Sequence, residues 1–447
     1  MATPDVLEIR IDENGDVDPD GERALNEKLA QSQATDLLIF SHGWNNDPPT
    51  ARRLYDAFFG RVDSVLAAHG ASGRKVLYLG VFWPSLRWSD EPIPDFSPGA
   101  VVDLGAGAGP AAAFGRPQVF DPPPPPDAQL RDEIRAAFPA EVADAVGELL
   151  ELIEKRPDDT AGLSRARDLV RTIATSAGPA GDGEQEAQPP LAALPDPGNT
   201  LFGDFAAALE ELNVDTGESG GAAGFGDALG RLWHGAQEVL RGMTYWQMKN
   251  RAGVVGEKGL GPLIGRLRAQ HPGVKVNLIG HSFGARVVSY ALKGMAAPAA
   301  VQSVTLLQGA FSHFVFAPTL PMDQNRAGAL TGQQAKVAGP VTACYSKFDS
   351  AVGVMYPLAS MAKGDDAAAL VNPMFRFGGI GHDGHQQGVP ELTLLTAGQR
   401  YDFGGKKLVN IDAQRVVRNG TPPSGAHSDI IYDDLAWVVV SAAGLGA

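Results

Sequence analysis

One serine stands in a context that favours nucleophilic chemistry. Ser282 occupies the centre of Gly280-His281-Ser282-Phe283-Gly284. The apolar run 274–279 before it is typical of a buried strand, and 285–292 after it has the pattern of a helix. A side chain at Gly280 or Gly284 would collide with the neighbouring strand or helix, so both glycines permit a sharp turn. The segment, with His281 as a supporting residue, predicts an elbow that exposes the Ser282 hydroxyl above a sheet.

A serine hydroxyl is a poor nucleophile unless a base lies beside it. In an elbow of this kind the acid and then the base follow the serine along the chain. His427 follows the predicted strand 408–411 and directly precedes the helical pattern 429–443. A loop after the last strand would deliver this imidazole to the active edge of the sheet, so we predict His427 as the base.

The acid is expected just after the penultimate strand of the sheet. Asp349 lies there, shortly after the predicted strand 341–345. It would hold the imidazole in the required tautomer and stabilise the imidazolium. Asp412, directly after the last strand, and Asp429, at the start of the final helix, are the alternatives. The order Ser282, Asp349, His427 satisfies the expected succession.

Two backbone N–H groups are candidates for binding an oxyanion. Phe283, the residue after the serine, supplies one of them. The loop after the predicted strand 36–40 supplies the other, and there Gly43 permits the bend while Trp44 donates its N–H. His42 is interpreted as a brace of this loop rather than as a catalytic residue.

Three segments together resemble the α/β-hydrolase superfamily: His42 to Asn46, Phe82 to Ser85, and Gly280 to Gly284. They are most similar to a bacterial branch with "HGYNN", "SWPS" and "GHSMG" segments, largely of undefined substrate. The resemblance covers roughly residues 34–90 and 250–445. It implies an eight-stranded, mostly parallel sheet, hydrolysis without a metal or other cofactor, and the Ser-Asp-His roles given above. The chain departs from the branch at Trp44, Phe82 and Phe283, and the first and last of these could reshape the pocket wall.

Other residues with chemical potential have simpler interpretations. His382-Asp383-Gly384-His385 has a spacing too short for a convincing metal site, so a solvated loop is favoured. His313 either lines the pocket or packs in the core. Cys344, the single cysteine, lies in an apolar run and is interpreted as a small buried hydrophobe.

The elements that must position these residues alternate between strand and helix patterns. This rhythm predicts a doubly wound, mostly parallel α/β sheet. We predict an N-terminal part of the core at 1–90 and a C-terminal part at 225–447. Between them, 91–224 is rich in proline, glycine and alanine, with helical patterns at 129–138, 142–153 and 163–173, and is predicted to be a helical cap. A second insertion is expected at about 353–405.

The composition limits the possible partners. The 447 residues carry a net charge of −15 without a long basic run, which disfavours nucleic acid and anionic membranes. Neither a signal peptide nor an apolar run long enough to span a membrane is evident, so a cytoplasmic location is the default expectation. Export without a cleaved signal and the oligomeric state stay open.

The predicted activity is hydrolysis of a carboxylic ester through an acyl-enzyme, acting on a small-molecule or lipid ester. Two alternatives stay open. One is a lipase or phospholipase, which a preference for long acyl chains would distinguish. The other is an inactive scaffold of the same fold that only binds, which a broken triad would indicate.

Overall fold

Eight parallel strands form one sheet in the described part of the computed structural model, which comprises residues 4–86, 88, 128–176, 202–203, 225–296, 301–352, 378–420 and 424–446. The strand order is β1-β3-β2-β4-β5-β6-β8-β7, and every pairing within it is parallel. The strands are β1 Val6–Arg10, β2 Asp36–Ser41, β3 Val76–Phe82, β4 Lys275–His281, β5 Ser303–Leu307, β6 Val341–Tyr345, β7 Glu391–Thr393 and β8 Leu408–Asp412.

Ten α-helices are described in the same residues. They are α1 Pro19–Ser32, α2 Pro48–His69, α3 Ala128–Ala137, α4 Ala143–Lys155, α5 Thr160–Ser176, α6 Phe225–Val254, α7 Gly261–Gln270, α8 Phe283–Gly294, α9 Ile380–Asp383 and α10 Asp433–Ala442. Short 3₁₀ turns lie at Ala140–Val142 and Gln333–Lys336, and a π-helical turn at Val255–Leu260 joins α6 to α7.

Both faces of the sheet are covered, which explains why its central strands are apolar almost throughout. One core contains Leu37 and Leu278 and continues into α6, α7 and α8. The other contains Leu38 and Ile279 and continues into α2 and α10. Alternate side chains of each strand therefore enter different cores, and the sheet is the middle of three layers. This confirms the predicted α/β class with a parallel sheet.

The expected elements of the core lie close to their predicted positions. β5 and β6 have the predicted bounds, and β8 is one residue longer than predicted. The helical patterns predicted in 91–224 correspond to α3, α4 and α5. The proline run 122–126 and the glycine-rich stretches of that region lie outside the described residues. The second expected insertion is described only from residue 378 onward, and it contains β7, which adds an edge strand beside β8.

The long helix α6 packs directly against the helix that follows the serine. Its apolar residues Trp233, Leu240 and Met243 are buried in the first core, as expected for core packing. The π-helical turn after α6 brings Gly256 so close to α8 that a methyl group there would lie 2.3 Å from the Val287 carbonyl oxygen. Close backbone packing of this kind holds α8 rigidly in place. Within the described ranges, no helix is both long enough and apolar enough to cross a membrane.

Candidate active site

The turn between β4 and α8 is a strained elbow with Ser282 at its tip. Ser282 has φ 57° and ψ −125°, a conformation that a residue with a side chain rarely adopts. Methyl groups on the flanking glycines would collide with backbone: at Gly280 with Gly284 O at 2.4 Å, and at Gly284 with Ser41 O at 1.9 Å. The two glycines are thus required for β2, β4 and α8 to meet, as the sequence pattern suggested.

The strained serine is held through its backbone by the strand beside it. Its N–H donates to Leu307 O at 3.1 Å, and its carbonyl accepts from the N–H of Ala310 at 3.2 Å and of Ala285 at 3.1 Å. Strain of about 1–3 kcal/mol at one residue persists only where the surroundings fix it, and these bonds supply that constraint. The residue is buried, with 6% of its surface exposed, whereas the elbow pattern predicted an exposed hydroxyl.

His427 and Asp349 form a hydrogen-bonded pair at the same edge of the sheet. His427 Nδ1 lies 2.8 Å from Asp349 Oδ2. Because a carboxylate only accepts hydrogen bonds, Nδ1 carries the proton and Nε2 is left as the basic atom. Asp349 is fully buried, and its other oxygen accepts from the Val352 N–H at 3.0 Å. The carboxylate is therefore fixed from both sides and orients the imidazole.

The loops that carry the acid and the base are bonded to each other along their backbones. The Ala426 N–H donates to Phe348 O at 2.9 Å, and the Ala351 N–H donates to Ser424 O at 3.2 Å. Asp349 and Gly425 form an antiparallel bridge between them. The His–Asp pair is consequently part of one backbone unit, although 78 residues separate its members along the chain.

His281 links this unit to the elbow. Its Nε2 donates to the His427 carbonyl oxygen at 2.8 Å, and the two imidazole rings lie 5.0 Å apart. Burial lowers the pKa of His281 to about 3, with a further contribution from the neighbouring His427. The ring is therefore neutral at physiological pH and adds no positive charge beside His427. His281, the residue before the serine, thus holds the backbone of His427, the candidate base, in place.

The loop after β2 lies against the serine from the opposite side. A methyl group on Gly43 would be 2.5 Å from Ser282 Cβ and 2.9 Å from Ser282 Oγ, so only glycine fits there. Within the described residues, the backbone N–H groups of Trp44 and Phe283 donate to no other group. Two unused donors beside a serine are what an oxyanion site requires.

This loop is braced by the segment that follows β3. The His42 ring stacks on Trp83 with centroids 5.3 Å apart, and its Nδ1 donates to Gly43 O at 2.9 Å. Burial lowers the pKa of His42 to about 4, so the ring is neutral and its contacts hold the loop in place. Ser85 Oγ also donates to Gly43 O, at 3.2 Å. The segments around His42 and Trp83 therefore pack directly against each other.

Asp412 and Asp429, the two alternative candidates for the acid, form hydrogen bonds with groups other than His427. Asp412 accepts from the backbone and side chain of Gln414, both at 3.0 Å. Asp429 accepts from the N–H groups of Arg418 and Asn419 and from Tyr432 Oη at 2.6 Å. Both carboxylates therefore stabilise turns, whereas Asp349 is the one bonded to His427.

The segment 382–385 forms a separate polar cluster. His382 Nδ1 lies 2.9 Å and His313 Nδ1 3.3 Å from the Asp383 carboxylate, which also forms an ion pair with Lys347. Burial alone would raise the pKa of Asp383, but these three partners hold it well below its usual range. No group of three or more metal-ligating side chains occurs among the described residues. His385 is buried rather than part of a solvated loop, and its backbone N–H donates to Asn410 Oδ1 at 2.7 Å.

Ser282, His427 and Asp349 do not form a continuous chain of hydrogen bonds among the described residues. In this structure the described residues include no hydrogen bond between Ser282 Oγ and the His427 ring, although each neighbours His281. Hydrogen bonds of this kind often tighten only when substrate binds.

Sequence reasoning missed Tyr245 on α6. Its ring lies 4.7 Å from that of Phe283 and 5.5 Å from that of Trp44. The only signal was its place among apolar residues of a helix preceding the elbow, which is not specific for a site.

No family model, curated protein or solved structure matches the chain.

Proposed function

We propose that this protein is a serine hydrolase of the α/β-hydrolase type that cleaves carboxylic esters through an acyl-enzyme. The observation that carries the proposal is the strained Ser282 elbow, which His281 joins to the hydrogen-bonded pair His427–Asp349. The combination of φ 57° and ψ −125° at Ser282 lies outside the left-handed helical region in which Gln33 and Arg156 cap their helices, and strain of this kind is retained mostly at functional sites. A structural helix cap would not need it.

In the proposed reaction, Ser282 Oγ attacks the ester carbonyl carbon while His427 Nε2 takes the hydroxyl proton. The carbonyl oxygen becomes an oxyanion, which the N–H groups of Trp44 and Phe283 bind. The bond to the alkoxy oxygen then breaks, and His427 gives its proton to the leaving alcohol. Asp349 stays ionised throughout and stabilises the imidazolium.

The second half of the reaction uses the same residues. A water molecule loses a proton to His427 and attacks the acyl-enzyme carbonyl. The bond to Ser282 Oγ breaks, the serine regains its proton from His427, and a carboxylic acid is released. Each proton removed is returned, so neither a metal nor a redox cofactor is required.

The helices α3, α4 and α5 fit the proposed role of a cap. Their buried residues, such as Ile134, Leu149 and Leu169, belong to the same core cluster as the inner face of α6, which packs on the elbow helix α8. We propose that this helical layer determines which esters reach Ser282, as loops and insertions over rigid scaffolds commonly do.

Pre-steady-state hydrolysis of p-nitrophenyl acetate tests the proposal. We expect a burst of about one p-nitrophenolate per protein molecule, followed by slower turnover, because p-nitrophenolate leaves in a fast acylation step and deacylation is slower. Ser282→Ala should abolish the burst. Ser289→Ala is the matched control: Ser289 lies on α8, the helix that begins directly after Ser282, and its buried hydroxyl has no hydrogen-bond partner among the described residues. Hydrolysis that persists in Ser282→Ala would refute the proposed mechanism.

A further inference from the structure

Three aromatic rings cluster beside the serine. Tyr245 lies edge-on to Trp44 with centroids 5.5 Å apart, and it lies 4.7 Å from Phe283. Trp44 and Phe283 are 6.3 Å apart. Two of these rings belong to the residues whose backbone N–H groups are the candidate oxyanion donors. An ester whose carbonyl oxygen binds those donors would bring the groups attached to its carbonyl carbon close to these two residues.

The three rings differ in how deeply they are buried. Phe283 is fully buried, whereas Trp44 and Tyr245 are only partly buried and pack against the edge of the first core. Phe283 thus supports the other two rings from behind. Trp44 Nε1 has no hydrogen-bond partner in the described ranges, so packing rather than hydrogen bonding holds that indole.

The strand order decides which half of an ester meets these rings. β4, which carries Ser282, lies between β2 on one side and β5, β6 and β8 on the other. Trp44 follows β2, whereas Asp349 follows β6 and His427 follows β8. His427 must protonate the leaving oxygen, so the alcohol faces the β6 side. The acyl group is the remaining substituent of the carbonyl carbon beside the oxyanion, and it is directed away from His427, on the β2 side that carries Trp44 and its neighbour Tyr245.

We propose that the acyl group of the substrate is aromatic, and that Trp44 and Tyr245 select it. This inference rests on the proposed esterase function. A flat acyl ring adjoining the carbonyl would meet the partly buried surfaces of Trp44 and Tyr245 in offset or edge-to-face contact. Each such aromatic pair contributes a preference of about two- to tenfold over an aliphatic group of similar size. A long flexible acyl chain would gain no such contact.

The test compares p-nitrophenyl benzoate with p-nitrophenyl cyclohexanecarboxylate, two acyl groups of the same ring size. Their kcat/KM values are divided by their rates of hydroxide hydrolysis, so that intrinsic reactivity cancels. We expect the normalised ratio to favour benzoate by about tenfold in the wild type. In Tyr245→Leu the ratio should fall several-fold. In Phe403→Leu, which alters a partly buried ring stacked on Tyr401 away from the elbow, the ratio should stay at the wild-type value.

A ratio near one in the wild type, or a ratio unchanged by Tyr245→Leu, overturns the aromatic selection. So does a higher normalised kcat/KM for p-nitrophenyl octanoate than for the benzoate. Labelling of Ser282 by a fluorophosphonate is measured on the same samples. A protein that is labelled but prefers aliphatic acyl groups retains the proposed function and loses this inference. A folded protein that is neither labelled nor active loses both.

Discussion

Two aspartates near the carboxyl ends of the strands are bonded to histidine rings, with nearly the same geometry. Asp349 is 2.8 Å from His427 Nδ1, and Asp383 is 2.9 Å from His382 Nδ1. Their surroundings differ. Asp349 is fully buried, and its loop is bonded to the loop of its histidine, which in turn is bonded to the residue beside Ser282. Asp383 also binds His313 and the exposed Lys347.

The comparison shows that a His–Asp pair does not by itself identify an active site. The pair at Asp349 adjoins a strained serine and two unused N–H donors, so a proton taken by its imidazole can serve a reaction. The pair at Asp383 has a lysine as an additional partner, which makes it a charge-stabilised connection between α9 and the loop after β6. The first pair is expected to determine activity, and the second to determine stability.

The largest predicted loss of activity comes from Asp349→Asn. The substitution keeps the size of the side chain but removes the acceptor that fixes the His427 tautomer. In a well-characterised protease with a Ser-His-Asp triad, this exchange lowers kcat by about 10⁴-fold. We expect a loss of that order in p-nitrophenyl acetate hydrolysis, with the Tm little changed. A fall of less than tenfold would remove the distinction between the two pairs.

A second prediction separates the serine from the pair. In Gly43→Ala the added methyl group would lie 2.5 Å from Ser282 Cβ, so the loop or the serine must shift. Displacement of a nucleophile by about 1 Å can cost about 100-fold in rate. We expect a kcat loss of that size, with far-UV circular dichroism unchanged. Gly60→Ala on α2 is the control, because its methyl group would meet nothing within 4 Å.

A third prediction concerns the contact that connects the first pair to the elbow. His281→Leu removes the hydrogen bond to the His427 carbonyl, so the imidazole loses its fixed position relative to Ser282. We expect kcat to fall by about 10- to 100-fold with KM nearly unchanged. His281→Gln can place an N–H near the same point and should recover most of the activity. Equal losses in both variants would show that His281 only fills space.

The smallest effect on activity is expected at the second pair. Asp383→Asn should change kcat/KM by less than about threefold, because no partner of Asp383 is a residue of the proposed relay. Because its carboxylate is ion-paired and partly exposed, we expect a loss of about 1 kcal/mol in the free energy of unfolding at pH 7. A larger loss of activity than in Asp349→Asn would reverse the comparison.

The pH dependence of this stability difference has a defined sign. The partners of Asp383 lower its pKa in the folded state, so its charge stabilises the fold above the unfolded-state pKa of about 4. That contribution is lost as the pH falls through the folded-state pKa. The difference between wild type and Asp383→Asn, measured by urea unfolding, should therefore be constant near neutral pH and shrink below about pH 4.

Much of the candidate site and of the fold was predictable from local sequence patterns. The elbow at Ser282 has a short signature, because strand, glycine-flanked serine and helix are contiguous. The positions of Asp349 and His427 follow from chain order and from the strands that precede them. The α/β class follows from strands and helices that alternate along the chain.

What the sequence did not predict depends on contacts between distant segments. The Asp383 cluster joins His313 and Lys347, from the loops after β5 and β6, to His382 of α9. The sequence around His382 resembles only a glycine-rich turn. Tyr245 belongs to a helix whose apolar residues otherwise form core. β7 has three residues, and partly exposed side chains cannot reveal so short an edge strand. Such features become visible only when the sheet brings the loops together.

Whether Ser282 is an activated nucleophile is tested most directly by labelling of the 447-residue chain with a fluorophosphonate probe, followed by mass spectrometric mapping of the modified residue. We expect a single adduct on Ser282, formed much more slowly in Asp349→Asn and His427→Ala and at the wild-type rate in Asp383→Asn. Absence of an adduct on Ser282 in the folded protein, or labelling that is equally fast in Asp349→Asn and wild type, would contradict it.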